Sequence, residues 1–309
     1  MNILNRFNPI FFCCLSILTL GELNAAEKVE VGQWNFSLSG GYGKLSNPLS
    51  QADDFTLYLV PSAYYYGENW YFDNGDLGYT VLQQTNYSVS IISQLNAEYA
   101  HFADWHPNNF FLSTAQSNLS FSEADSSPNS PPDANDDLQY WQKSPDEIES
   151  DETHKSVINW RDLSSRRLAI DVGIQGHWFI SSQQSIRMRL MHDINSVYDG
   201  FHASLEYKHQ WRFKKLMLSA HLGWLWKSRD LANYYYGVSD KDTKTQALWY
   251  QPGQLNLPYA RLSAAYPLTE AWKMLAFYQY QKLDNTLTAS PMIADDARTI
   301  RFIGLNYAF

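Results

Sequence analysis

From Phe201 to Phe213 the chain changes character at every residue. Phe201, Ala203, Leu205, Tyr207, His209, Trp211 and Phe213 alternate with His202, Ser204, Glu206, Lys208, Gln210 and Arg212. Successive side chains on a strand point to opposite faces, so this stretch predicts a strand with one apolar and one polar face. The next stretch, Leu216 to Trp226, repeats the pattern. Leu216, Leu218, Ala220, Leu222, Trp224 and Trp226 fall on one side, and Met217, Ser219, His221 and Gly223 on the other. Only Lys214 and Lys215 separate the two, which fits a two-residue hairpin. The chain closes in the same way on residues 299–309, where Ile303, Leu305, Tyr307 and Phe309 share a face. A terminus built as a strand suggests the last stave of a closed sheet rather than a frayed end.

Extended along the chain, this reading predicts twelve strands, at about 33–43, 55–66, 69–74, 77–83, 87–100, 164–180, 185–194, 202–213, 216–227, 257–267, 271–283 and 299–309. The pair 69–74 and 77–83 is shorter than the ~9–11 residues a membrane-spanning strand needs, and merging it would lower the number to ten. Connections at 67–69, 83–86, 181–184, 214–215 and 268–272 are short, while those at 44–54, 101–163, 195–201, 228–256 and 284–298 are long. Tyr65, Trp70, Trp178, Trp211, Phe213, Tyr266, Trp272, Tyr307 and Phe309 fall at strand ends beside the short turns. Short turns on one side, long loops on the other and an aromatic girdle at the short-turn end describe an outer-membrane β-barrel with periplasmic turns and extracellular loops.

Alternation alone does not separate such a barrel from a secreted β-sandwich, since hydrocarbon and protein core select the same pattern. The first residues decide between them. Residues 1–26 carry an early Arg6, the apolar run Ile10–Leu20 and then small residues, the layout of a secretory signal peptide cleaved after Ala25 or Ala26. Residues 27–309 are then expected to form a single barrel domain. Both cysteines, Cys13 and Cys14, lie in the leader, so the exported chain has neither disulfide nor thiolate chemistry. Aromatic residues make up 16% of the chain, yet no apolar run after the leader approaches the ~20 residues of a membrane helix.

Charge is unevenly placed. Residues 122–157 hold ten Asp or Glu, two Lys and four Pro, and account for −8 of the net −9. The segment lacks the apolar content to order itself and reads as a solvated extracellular loop. Its phosphate-repelling charge argues against a nucleic-acid partner. Outer-membrane lipid and the barrel assembly machinery are the partners the rest of the chain requires.

Catalytic and metal-binding patterns are weak. His192, Asp193 and Ser196 are close in sequence, but strand parity sends His192 toward lipid and Asp193 toward the lumen, so they do not converge. His101, Asp104 and His106 share a loop, but their spacing matches no specific metal site. We expect no enzyme, cofactor or metal. The lumen is more informative. Arg167, Asp171, His177, Arg187, Arg189, Asp193, His202, Glu206, Lys208 and Arg212 are predicted to point inward. They read as a structural ion-pair network filling a narrow barrel, with Arg189 and Glu206 expected to pair directly or within a small network. The competing reading is a passage or binding cavity.

Four motifs carry a family resemblance. "VPSAYYYGENWYFDNGDLGYTV" (60–81, with Pro61 and Tyr79), "YYYGVSDKD" (234–242, with Tyr236, Gly237, Val238 and Ser239), "YQPG" (250–253) and "LTASPMI" (287–293, with Ser290 and Pro291) resemble the MipA/OmpV family of outer-membrane proteins, in order over most of the chain. The resemblance implies a barrel in the outer membrane of a Gram-negative bacterium. It also implies a scaffold role in peptidoglycan (murein) remodelling, joining a lytic transglycosylase to a penicillin-binding protein. A narrow pore, receptor or adhesin is the other expectation. The acidic insertion at 122–157 and Arg301 in the closing strand depart from the family pattern.

Overall fold

In a computed structural model, which describes residues 31–102 and 158–309, the chain forms a closed antiparallel barrel of twelve strands. These are β1 (Trp34–Leu45), β2 (Phe55–Tyr66), β3 (Trp70–Asp73), β4 (Asp76–Gln83), β5 (Tyr87–Leu95), β6 (Ile170–Phe179), β7 (Gln184–Asp193), β8 (Phe201–Phe213), β9 (Leu216–Lys227), β10 (Leu255–Pro267), β11 (Trp272–Lys282) and β12 (Ala297–Ala308). Each pairs with its neighbours in sequence, and β12 closes on β1. The leader and the acidic segment 122–157 lie outside the described residues.

Period-two alternation sets the register. On β8, Phe201 and Leu205 are exposed outward, whereas Glu206 between β7 and β9 is buried inward. Every lipid-facing run has this form, as in Ile174, Met188, Leu190, Leu222, Leu262 and Ile303, all exposed. In a monomeric soluble protein such a belt would be a large apolar patch; around a barrel it is the surface that meets hydrocarbon. The expected girdle closes the belt at the short-turn end. Trp34 lies 5.3 Å from Tyr65 and 5.7 Å from Phe72, and Tyr307 lies 4.9 Å from Trp272 and 5.1 Å from Phe309, between ring centroids.

Closure of the sheet depends on small residues. β12 runs along β1 from Ser37↔Ala308 to Leu45↔Ile300, with Gly41 opposite Gly304. A Cβ at Gly304 would sit 2.8 Å from Gly41 Cα and 2.9 Å from Phe302 Cζ, and closer still to the Gly40 carbonyl. The strand pair therefore approaches too tightly for any side chain there. β1 is also irregular between Gly40 and Gly43, a bulge that bends the seam.

The hairpin β3–β4 departs from the rest. Its Asn74–Gly75 turn has positive φ at both residues (50° and 107°), which suits a tight primed turn. It is the one two-residue connection among the described residues on the long-loop side. β3 and β4 are separate strands, so the number is twelve rather than ten. Because β3 is so short, it pairs only with Tyr64–Tyr66 of β2. Above that point the buried Asn74 side chain takes over, its Oδ1 accepting from Ala63 N–H and Ser62 Oγ–H at 2.9 Å each. The backbone of Ala63 points to the β3 side, so by strand parity Pro61 does too. The missing N–H of Pro61 thus lies along an edge where no described strand waits for it, which is where a sheet tolerates proline.

Two expected strands are shorter than predicted. The stretch 96–102 leaves β5 at Leu95 and forms a 3₁₀ segment, Ala97–Phe102, and β6 begins at Ile170 rather than near 164. Both trimmed pieces are part of the structure over the barrel mouth.

Replacing Gly304 with Val should prevent seam closure. We expect a large loss of the heat-modifiable folded band on electrophoresis, whereas Gly176→Val, with open space at its Cβ, should leave that band intact.

Candidate functional site

The long-loop end of the barrel is covered by a folded cap. Helix α1 (Arg229–Tyr236) begins where Ser228 Oγ accepts from Leu231 N–H and ends at Gly237, whose N–H donates to the Asn233 carbonyl. Leu231, Ala232, Tyr235 and Tyr236 fall on one helical face, and all four are buried. They pack on Val197 and Tyr198 from the β7–β8 loop, Leu49 from the β1–β2 loop, and Leu287, Met292 and Ile293 from the β11–β12 loop, where the short helix α2 (Asn285–Thr288) sits. A continuous apolar core therefore lies over the mouth, outside the sheet. The alternation pattern pointed only to long loops here; the i, i+4 spacing of Leu231 and Tyr235 was the available sign of the helix.

The motifs of residues 234–242, 250–253 and 287–293 meet in this cap. Ser290 Oγ–H donates to the Tyr236 carbonyl at 2.9 Å, and Val238 forms a bridge with Tyr250. Gly237 leaves no room for a side chain against Asn233, and its carbonyl accepts from Arg166 at 2.9 Å. Ser239 donates through N–H and Oγ–H to Asp242, which takes Arg166 in a 2.9 Å ion pair. Pro291 supplies a carbonyl to Ile158 N–H at 3.0 Å. Pro61 and Tyr79 belong instead to the barrel wall, Tyr79 lying on its outer face with its ring 4.9 Å from Trp70.

Cap and barrel are tied together by Glu98. Its carboxylate takes Lys227 Nζ at 2.6 Å and accepts a very short hydrogen bond from the Tyr236 hydroxyl. Burial alone would raise this carboxyl, but Lys227, with His101 and the hydrogen bonds, outweighs it and holds it down at about 2. The same burial, with Glu98 alongside, pushes the Tyr236 hydroxyl well up, so it stays a donor.

Below the cap the predicted inward residues divide into separate groups. Arg187 is the cross-strand partner of Glu206 and binds it at 2.7 Å, and Tyr259 O–H donates to the same carboxylate at 2.5 Å. His221 and Arg261 stand 3.4 and 4.0 Å from it. The expected direct pairing of Arg189 with Glu206 is corrected by the register, which puts Arg189 opposite Ser204. Arg189 binds Asp76 at 2.8 Å and Gln175 at 2.6 Å, so the first residue of β4, just past the hairpin turn, provides its anion. Asp171 collects Asn96, Tyr198 and His202, while Asp193 accepts the N–H groups of Asn195, Val197, Tyr198 and Asp199 and so shapes the β7–β8 loop. Lys208 faces inward beside His221. Arg212 reaches Met217 Sδ near the short-turn end, and His177 stacks edge-on with Phe179. Arg167 is corrected too. It precedes β6 and lies exposed in the cap, donating its N–H to Tyr234 Oη rather than entering the lumen. The opposite side of the lumen is apolar, with Leu45, Leu57, Val60, Leu275, Phe277, Ile300 and Phe302 in one cluster.

No catalytic arrangement forms around His192. Its ring faces outward against Phe201 at 4.3 Å, its Nδ1 lies 2.8 Å from the Gly200 carbonyl, and Asp193 is engaged with backbone. Of the His101, Asp104 and His106 group, the last two lie outside the described residues; His101 is buried in the cap. Among the closing-strand residues, Ile303, Leu305 and Tyr307 line the outer face, and Phe309 N–H donates to the Phe36 carbonyl at 3.0 Å.

Two measurements check this geometry. Arg187→Ala and Glu206→Ala should each cost several kcal/mol, on the order of 3–5, because each strands a buried charge. The double variant should lose less than the two single losses combined in detergent melting. Glu98 titrates lower in the folded protein than its ordinary 4.5, so its contribution to stability is full above 4.5 and is lost as pH falls toward about 2. Glu98→Gln should melt lower at neutral pH and lack that acid-dependent component.

The chain was compared with known proteins. A family described as MltA-interacting protein MipA matches residues 33–309. The MltA-interacting protein of Escherichia coli (strain K12) is 24% identical over 96% of this chain and 99% of its own length. Outer membrane protein Omp26La of Vibrio anguillarum is 26% identical over 45% of this chain and 53% of its own, and outer membrane protein OmpV of Vibrio cholerae is 24% identical over 50% and 59%. With its closed twelve-strand wall and these relatives, the chain is an outer-membrane β-barrel that belongs to the MipA family.

Proposed function

We propose that this barrel is a non-enzymatic scaffold, or interaction protein, for peptidoglycan-remodelling machinery, and that it engages a lytic transglycosylase at the periplasmic rim. The observation that carries the reading is end-to-end similarity to a relative whose name records an interaction with MltA. A penicillin-binding protein as second client is part of the same proposal. A lumen crowded by charged and apolar side chains and covered by the cap agrees with a role that uses the barrel as a platform. One wall carries the Glu206 network, the other an apolar cluster, and the cap covers the mouth. The dispersed positions of His192, Asp193 and Ser196 favour a role without catalysis.

The periplasmic surface is formed by the turns 67–69, 84–86, 180–183, 214–215 and 268–271 and the aromatic girdle beside them. These turns are short, so a partner has to bind across several of them at once. Lys214, the one non-glycine residue of the short periplasmic turns with positive φ, and Lys215 form the most basic of these turns.

Photo-crosslinkers placed at Lys215 and Glu270 should capture a lytic transglycosylase from intact outer membrane, and one placed at Lys241 in the cap should not. Absence of transglycosylase at both turns, together with discrete conductance steps of the purified protein in planar bilayers, would replace the scaffold with a pore.

A further inference from the structure

Between the cap and the Glu206 network lies a cavity of about 430 Å³. That is the size of a small-molecule site, which typically spans ~300–1,000 Å³. Four fixed cations line it, Arg189, Lys227, Arg261 and Arg298, against two carboxylates, Asp76 and Glu98. The two carboxylates are spoken for, Asp76 by Arg189 at 2.8 Å and Glu98 by Lys227 at 2.6 Å. Arg261 is served by Gln279 at 2.9 Å and by the more distant Glu206. Glu206 is already held by Arg187, so the shared acid does not neutralise both.

Arg298 is different. It stands at the upper end of β12, and its Nε is out of contact with solvent and has no hydrogen-bond partner. Among the described residues it forms no ion pair. Its cross-strand neighbour is Gln281, a neutral amide that is itself buried and lines the same cavity. Arg298 as a whole is half-buried, yet its Nε is shut off from water, and the Glu98 carboxylate acts on it only from beyond ion-pair distance while held by Lys227; a carboxylate at 281 would pair with it directly. Gln94, Asn96, Gln279 and Gln281 add amides that suit the polar body of a ligand.

We infer that this cavity is a binding site for a small organic anion, with Arg298 as the residue that receives its carboxylate or phosphate group. Arg presents two parallel N–H donors to such a group, a geometry that Lys or an amide cannot match. The site belongs to the extracellular end of the barrel and does not depend on a periplasmic partner.

The test follows thermal unfolding of the detergent-solubilised full chain against increasing citrate or inorganic phosphate. Sodium chloride holds ionic strength constant, and glucose is the neutral control. A ligand that binds only the folded state raises the melting temperature with its concentration. Wild type should respond to at least one of the anions, the preferred one identifying the headgroup, and should not respond to glucose. Arg298→Gln should require at least tenfold more anion for the same rise. Gln281→Glu places a carboxylate opposite Arg298 and should give a folded barrel with a raised melting temperature and no anion response. That variant decides the matter if Arg298→Gln does not fold. A wild type insensitive to both anions, or an undiminished response in Gln281→Glu, overturns the site.

Discussion

In hydrocarbon no water is available to satisfy a backbone N–H or C=O, so a sheet that crosses the membrane must have no open edge. Everything else in this protein follows from that. The first and last strands, more than 250 residues apart in sequence, must find each other along the whole of a seam. The chain achieves this with glycines where β1 and β12 approach, a bulge that turns β1 along the curve, and a hydrogen bond from Phe309 N–H to the Phe36 carbonyl at the periplasmic end of the pair. Closure in turn creates an interior that has to be filled or used.

The interior is divided rather than uniform. Inward positions of β6 to β9 carry most of the charges, while those of β1, β2 and β10 to β12 supply an apolar cluster, with Arg261 and Arg298 as charged exceptions nearer the mouth. A single carboxylate, Glu206, gathers Arg187, Tyr259 and more distantly His221 and Arg261, linking strands that are not adjacent. Such a hub braces four consecutive strands, β7 to β10, from the inside, in addition to the ladder hydrogen bonds between them. The cap repeats the device at the mouth, where Glu98 joins Lys227 of the wall to Tyr236 of α1.

The wall was largely legible in the sequence because lipid imposes a strict period of two, and a period survives without knowledge of which strands are neighbours. Even the four-residue β3 showed itself between its turn residues. The cap was much less legible. Its core comes from five separate loop segments, so no one stretch displays a periodic face long enough to announce it, and Tyr236 and Ser290 read as motif residues without a stated contact. The lumenal pairs fell between these cases. Parity gave the correct face for Arg187, Arg189 and Glu206, yet which arginine meets the glutamate depends on register, and a shift of two residues leaves parity unchanged. Asp76 was missed as the partner of Arg189 because the predicted strand began at 77, one residue after it, so parity was not extended to the first position of β4. Arg167 was misplaced because β6 starts later than its polar approach suggested.

The short β3 makes the wall uneven in a way that matters when the barrel is pulled apart. Along most of the circumference neighbouring strands are zipped over nine or more residue pairs, but β2 and β3 share three. The terminal seam, with nine pairs, is therefore fastened over three times the length of the line between the second and third strands, which is the weakest. Under mechanical load the cylinder would tear lengthwise there, with β1 and β2 peeling away still attached to β12. The two ends of the chain would leave the membrane as one unit, held together by the very contact that first made the barrel whole.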